Sequence, residues 1–216
     1  LEKRVKPESD IVVARGKQIH EYDFWKFWDK RLDSYEQAYK LSRVLVQTLH
    51  TKHLGMSFVI PNQVFSHALA VINSSKASDF SILQSSEHEV WARSRSGSLG
   101  TTMRYTPSDC FLTFPFPKEF SNLEKIGETY HEERRQIMLA RQEGLTSTYN
   151  RFHNPEEGAG DIVRLRELHV EMDKSVASAY GWDDLALGHD FHETAQGVRF
   201  TVSESARREV LSRLLK

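Results

Sequence analysis

Three arginines within twelve residues, Arg93, Arg95 and Arg104, with no acid between them, are the first candidates for chemistry in this 216-residue chain. The segment Arg93-Ser94-Arg95-Ser96-Gly97-Ser98-Leu99-Gly100-Thr101-Thr102-Met103-Arg104 combines guanidinium groups, hydroxyls and glycines. Arg pairs bidentately with guanine edges, Ser and Thr hydroxyls reach phosphates, and Gly permits close backbone approach. The composition therefore suggests nucleic-acid contact by Arg93, Arg95 and Arg104, with Ser96, Thr101 and Thr102 behind them. An ordinary solvated loop is the competing reading. Lys52 and His53, in the polar turn Thr51-Lys52-His53, form a weaker pair of the same kind.

Ten histidines raise the question of a metal site. The tightest group is His189-Asp190-Phe191-His192-Glu193, whose imidazoles are three residues apart, as some metal sites require. No third ligand pattern accompanies it, and the segment reads as a loop with exposed histidines. His67 and His88 read as capping or core hydrogen-bonding residues. Cys110 follows Asp109, and a neighbouring acid opposes the thiolate that a nucleophile needs, so a buried structural cysteine is expected. Complete active-site patterns are missing. No lysine has Asp or Glu two positions before it, as a restriction-type nuclease commonly does. There is no Gly-rich phosphate loop and no Gly-x-Ser-x-Gly. Enzymes that methylate base amines use an Asn/Asp-Pro-Pro-aromatic turn, and Asn154-Pro155-Glu156 lacks both the second proline and the ring.

Composition sets the wider bounds. With 39% hydrophobic and 27% charged residues, the chain has the apolar content for a core. No apolar run reaches the roughly 18 residues of a membrane span, and the charged start Leu1-Glu2-Lys3-Arg4 does not resemble a signal peptide. A single cysteine excludes an internal disulfide and paired-cysteine zinc sites, so a cytoplasmic location is expected. The initial Leu suggests a piece of a longer protein. The net charge of −1 argues against a strongly basic nucleic-acid binder, but the charge is uneven. Residues 1–120 hold sixteen Lys and Arg against thirteen Asp and Glu; residues 121–216 hold thirteen against seventeen. A polyanion site would belong to the first half.

The elements that must position these residues follow from periodicity. Ile11-Val12-Val13 suggests an edge strand, and Phe24, Trp25 and Trp28 have helical spacing in a segment running to about Leu41. Three β-rich runs, 43–50, 54–60 and 64–72, joined by short polar connections, suggest an antiparallel meander. Ser78 reads as the N-cap of a helix to about Ala92, with Glu87 in the middle of its apolar face. Residues 93–104 read as a loop ending in a short strand near Met103. The second half reads as helical. Leu123, Ile126, Tyr130, Ile137 and Met138 mark one helix. Ile162, Leu165, Leu168, Met172, Val176 and Ala179 mark another, with Asp161 as N-cap and Gly181 as C-cap. A strand at 197–202 and a helix from Ser203 close the chain.

Several motifs in combination resemble a known family. They are Ile82-Leu83-Gln84-Ser85-Ser86 with His88-Glu89-Val90-Trp91-Ala92, and Arg104-Tyr105-Thr106-Pro107-Ser108-Asp109-Cys110-Phe111 with Thr113-Phe114-Pro115-Phe116-Pro117. Gly144-Leu145-Thr146, Tyr149-Asn150-Arg151-Phe152-His153-Asn154-Pro155-Glu156-Glu157, Leu165-Arg166-Glu167-Leu168-His169, Met172-Asp173 and Ala179-Tyr180-Gly181-Trp182 continue the series. Over residues 40–216 these are similar to the C-terminal region of large bacterial adenine-specific DNA methyltransferases of restriction–modification systems, type II or type IIG-like.

The resemblance implies an α+β fold, with a small antiparallel-sheet recognition lobe (1–118) followed by a helical C-terminal lobe (119–216) that braces it. It implies double-stranded DNA and the methylase catalytic domain of the same polypeptide as partners, and no membrane. S-adenosylmethionine would serve the parent enzyme, with no cofactor in this chain. Glu87 departs from the family, which more often has an apolar residue there, and the 93–102 segment has its own sequence. A scaffold for a phage-defence methylase complex, with little direct DNA contact, is the alternative. A free-standing metal hydrolase using His189 and His192 ranks below both.

Overall fold

The computed structural model describes residues 32–99 and 102–216. Ile11–Val13, the aromatic cluster at 22–28 and Thr101 lie outside the described residues. The chain divides into two compact units, Leu1–Lys40 and Leu41–Lys216. In the first, helix α1 (Leu32–Ala38) falls in the stretch expected to be helical. Every other element belongs to the second unit.

That unit begins with strands β1 (Val44–Thr48), β2 (His50–Thr51), β3 (Ser57–Val59) and β4 (Leu69–Ile72). The first four residues of β1 are all buried, which is how a strand covered on both faces reads. It is the central strand of a sheet ordered β3-β1-β4, with Val44 opposite Val59 and Leu45 opposite Ile72. The expected antiparallel pairing holds, but the meander order does not. A meander would place the second run in the middle, whereas here the most apolar run takes both partners. The chain then leaves β1 for a second sheet through Leu49, whose carbonyl accepts from Tyr105 N–H at 2.7 Å.

The helix expected over 78–92 is two helices, α2 (Ala77–Gln84) and α3 (Ser86–Arg95). Ser85 has an extended backbone, ψ 161°, and its hydroxyl accepts from the His88 N–H, so it ends one helix and caps the next. Ser78 is not the N-cap of α2. That helix starts a residue earlier, and the Glu124 carboxylate caps it from another element, accepting from Ala77 N–H (3.0 Å) and Ser78 N–H (2.7 Å).

After α3 come β5 (Gly97–Leu99), β6 (Thr102–Arg104) and α4 (Pro107–Cys110), so the expected loop is a helix end followed by a hairpin. Then follow α5 (Glu124–Arg141), α6 (Leu145–Phe152) and α7 (Gly160–Ala179). The N-cap of α7 is Ala159 rather than Asp161, whose carboxylate instead takes both Arg141 donors at 2.7 Å. Gly181 follows α7 at φ +74°, the left-handed turn that a glycine C-terminus provides. Strands β7 (Asp190–Thr194) and β8 (Gly197–Thr201) form a hairpin, so the expected histidine loop is mostly strand. Helix α8 (Glu204–Leu214) is capped by the Ser203 hydroxyl.

One apolar cluster runs from Leu45 and Met56 through Phe80, Trp91 and Tyr130 to Leu165 and Leu214. Sheet and helices of this α+β unit thus share a core. At its centre Arg134, 1% exposed, donates to Gln84 Oε1 (3.1 Å), Tyr149 OH (2.8 Å) and Met56 O (2.5 Å). The Phe80, Tyr130 and Tyr149 rings surround it, which supplies cation–π contact in place of a carboxylate. Gln84 also accepts from Met56 N–H (2.9 Å) and donates to Leu54 O (3.1 Å), so the chain leading into β3 is held by its backbone.

Candidate nucleic-acid interface

The second sheet, ordered β2-β6-β5, carries two of the sequence-predicted contact residues, Thr102 and Arg104, while Arg93, Arg95 and Ser96 belong to the helix end before it and Lys52 and His53 to the turn after β2. Arg104 lies between His50 and Gly97, and Thr102 lies opposite Leu99. Side chains alternate along a strand, and Met103 and Tyr105 point into the core at 2% and 0% exposure. Arg104, Thr102 and His50 are therefore on the outward face. Arg104 and His50 are exposed, Thr102 is half-buried, and beyond its backbone ladder the Arg104 side chain has no hydrogen bond or ion pair among the described residues.

Arg95 closes the last turn of α3 and is also exposed. Its guanidinium lies 4.4 Å from the centre of the Trp91 ring. Trp91, itself buried, holds one side of that guanidinium by cation–π contact, and Arg95 as a whole stays exposed. Ser96 finishes the helix. Its N–H donates to Ala92 O at 2.8 Å, and its hydroxyl reaches Arg93 O at 3.4 Å.

Arg93, Lys52 and His53 form a different group. Arg93 donates to Glu89 (2.8 Å through Nε) and to the Lys52 carbonyl (3.2 Å). Glu89 also faces Arg199, which reaches it at 3.5 Å and the Lys52 carbonyl at 3.5 Å. Burial works to raise the Glu89 pKa, but Arg93 and Arg199 hold the carboxyl well below the usual range. Lys52 Nζ and His53 Nε2 each lie 3.0 Å from Asn150 Oδ1.

His53 is buried and stacks on the Tyr149 and His153 rings at 5.9 and 5.1 Å. Burial, then the Arg199 charge, lowers its pKa to about 4, so it is neutral at pH 7. The structure thus brings Thr102, Arg104 and the end of α3 to one surface. It uses Arg93 and His53 to tie that surface to α6 and β8. His50, Asn150 and Arg199 had no sequence signal, because their role comes from partners up to 147 residues away.

The other candidates have structural partners. His189 Nε2 lies 2.8 Å from buried Asp173, and His192 Nε2 lies 2.8 Å from Gly188 O. No cluster of three or more His, Cys, Asp or Glu able to hold a metal occurs among the described residues. His88 is fully buried against Tyr105 OH at 3.0 Å, as expected of a core histidine. Cys110 is buried, and burial raises its thiol pKa. Glu87 is 1% exposed, and neither carboxylate oxygen has a hydrogen-bond partner. Burial first, and Asp173 second, raise its pKa well above the ordinary value, the direction that favours the uncharged form on an apolar helix face. Among the described residues no helix is long and apolar enough to cross a membrane.

Residues 26–118 match the family described as the target recognition domain of MmeI. The chain is 27% identical over 159 residues to DNA methyltransferase A of Bacillus subtilis (strain 168), a match covering 72% of this chain and 17% of that protein. A solved structure of the Type IIL restriction-modification enzyme MmeI in complex with DNA superposes with a TM-score of 0.52 and 22% identity. That match covers 80% of this chain and 21% of the solved one, so the chain spans about a fifth of the relatives it matches. The sequence resemblance to the target recognition region of restriction–modification methyltransferases is borne out.

Proposed function

We propose that this chain is the DNA target recognition fragment of a restriction–modification adenine-N6 DNA methyltransferase. One observation carries the reading: Arg95 and Arg104, exposed and without an acid partner among the described residues, lie with His50 and Thr102 on one small sheet and helix end within the stretch that matches a target recognition domain. Arg104 and Arg95 contact the duplex directly. Thr102 and Ser96 line the same surface, Lys52 flanks it from the turn that Arg93 braces, and Thr101 belongs to the same turn in sequence. Arg93 and His53 position that surface. Double-stranded DNA is the partner, supported by the MmeI relative having been solved with DNA. Residues 1–118 read the site, and the helical part, 119–216, braces them against the methylase domain of the same polypeptide. That domain would hold S-adenosylmethionine and receive the flipped adenine. The setting is cytoplasmic, where such an enzyme meets DNA.

The test is an exchange of residues 95–104 in the parent enzyme, leaving the Arg93 brace in place, followed by methylation sequencing of the modified DNA. A changed methylated motif with activity retained is the expected result. Retained activity with the motif unchanged would remove the β2-β6-β5 face as the reader and bring the scaffold reading forward.

A further inference from the structure

Next to the Arg93 brace, α3, the β7–β8 hairpin and α8 border a half-open cavity of about 380 Å³. Arg93, Arg199 and Arg207 line it, against the single carboxylate of Glu89. Thr194, Gln196 and Thr201 add polar side chains to the wall. Two of these arginines are poorly satisfied. Arg199 is 4% exposed, yet both of its hydrogen bonds are 3.5 Å long. Arg207 reaches only Glu193 O, also at 3.5 Å, and its Nη1 is buried without a partner. Good charge-assisted N–H···O bonds are about 2.7–2.9 Å, and buried donors without acceptors are rare and costly. The cavity therefore has surplus positive charge and surplus donors facing a polar space. Glu89 offsets one of the three charges, closely at Arg93 and at 3.5 Å from Arg199, and leaves the other two without an acid.

We infer that this cavity is a phosphate-binding site, with Arg199 and Arg207 supplying the donors and Arg93 forming the edge shared with the Lys52 turn. The ligand is a tetrahedral phosphate oxyanion. Its source is either the backbone of the bound duplex, which rests on the function proposed above, or free phosphate. In the first case the C-terminal hairpin and α8 hold DNA as well as brace the recognition sheet.

Two assays on the 216-residue chain separate these sources. In the first, thermal unfolding is followed in sodium phosphate and in sodium chloride at equal ionic strength. In the second, duplex binding is followed by fluorescence anisotropy across a salt series. R207Q removes one guanidinium whose only bond is long, so its unfolding midpoint in chloride should match the unsubstituted chain. R207K keeps the charge but loses the fork, and carries both assays should R207Q not fold.

The unsubstituted chain should gain stability in phosphate over chloride, and R207Q should lose at least half of that gain. A fall of about 0.9 in the slope of log K against log salt for R207Q identifies the duplex backbone as the source. If the phosphate gain is lost but the slope is unchanged, or the chain binds no duplex, free phosphate is the source. The site then stands without the DNA reading. No phosphate-specific gain in the unsubstituted chain, together with an unchanged slope in R207Q, would overturn the inference.

Discussion

Replacing Arg104 by alanine separates DNA contact from structure more cleanly than any other change on the recognition face. Arg104 is exposed, its strand neighbours are His50 and Gly97, and it has no bonded partner among the described residues. Surface changes of this kind alter stability by no more than about 0.5 kcal/mol, or about 1–2 °C in a chain of this size. Any loss of DNA binding is then a loss of contact. If Arg104 reads a base edge, the cost is about 1–3 kcal/mol, a weakening of about 5- to 150-fold, with relaxed preference at one base pair. If it contacts a phosphate, all duplexes weaken alike and the salt slope falls by about 0.9.

Arg93→Ala is the control with the opposite profile. It breaks the bonds to Glu89 and to the Lys52 carbonyl, in a side chain 20% exposed, and should cost about 1–3 kcal/mol of stability. Anisotropy on cognate and scrambled duplexes over a salt series, beside thermal unfolding of both variants, gives the full comparison. If R104A binds every duplex with unchanged affinity and slope, Arg104 does not touch DNA. If R104A unfolds several degrees early, its isolation on the strand is wrong.

Other perturbations test the scaffold beneath this face. Arg134→Met removes a donor from the Met56 carbonyl and thins the Gln84–Tyr149 network, so urea unfolding should show a loss of about 2–4 kcal/mol; equal stability would contradict the network. Gly127→Ala places a methyl group into the Ala77 carbonyl and the Ser81 hydroxyl where α5 crosses α2. A loss of at least about 1–3 kcal/mol is expected, and a neutral result would mean that the helices separate freely. Burial lowers His88 to about 3, and burial with nearby cations lowers His53 and His131 to about 4, all below the usual 6.5. Their contribution is complete above pH 6.5 and is lost as pH falls toward 4, so the unfolding midpoint should drop between pH 7 and pH 5, and a flat profile there would count against neutral buried imidazoles. Glu87 has the opposite sign: its raised pKa costs stability as pH rises above the ordinary carboxylate range, so E87Q should gain stability at pH 8 over the unsubstituted chain, and the gain should vanish near pH 4.

Local patterning made much of the fold legible. Ile162, Leu165, Leu168, Met172 and Val176 are all essentially buried along α7, because one apolar stripe at helical spacing suffices to place a helix. The break at Ser85 was hidden because Ser85 caps a new helix while α2 and α3 share an apolar pattern, and the deciding partner of Ser86 N–H is Asp173, 87 residues on. The same holds for the site. Arg104 and Thr102 stood out by composition, and their strand places them outward. Arg93 has the same composition around it, yet Glu89 one turn earlier and a carbonyl 41 residues away hold it in place. His53 shares a turn with Lys52 but stacks inward on rings from α6 and the residue after it.

The net charge of −1, which seemed to oppose a DNA partner, is explained by where the acids are. In the helical part, Glu143 and Glu157 pair with Arg151, Asp161 with Arg141, Asp184 and Glu209 with Arg213, and Glu204 with Arg208. Exposed pairs like these add about 0–1 kcal/mol each to stability, but each one cancels its own field. Arg95 and Arg104 have no such acid. At physiological salt a charge is felt over about 8 Å, so an approaching duplex meets those two guanidiniums and not the sum over 216 residues. The total charge therefore carries little weight against the proposed duplex partner. A scaffold with little DNA contact would share the same total, but it would give no reason for placing two exposed arginines without an acid partner at one helix end and the strand beside it.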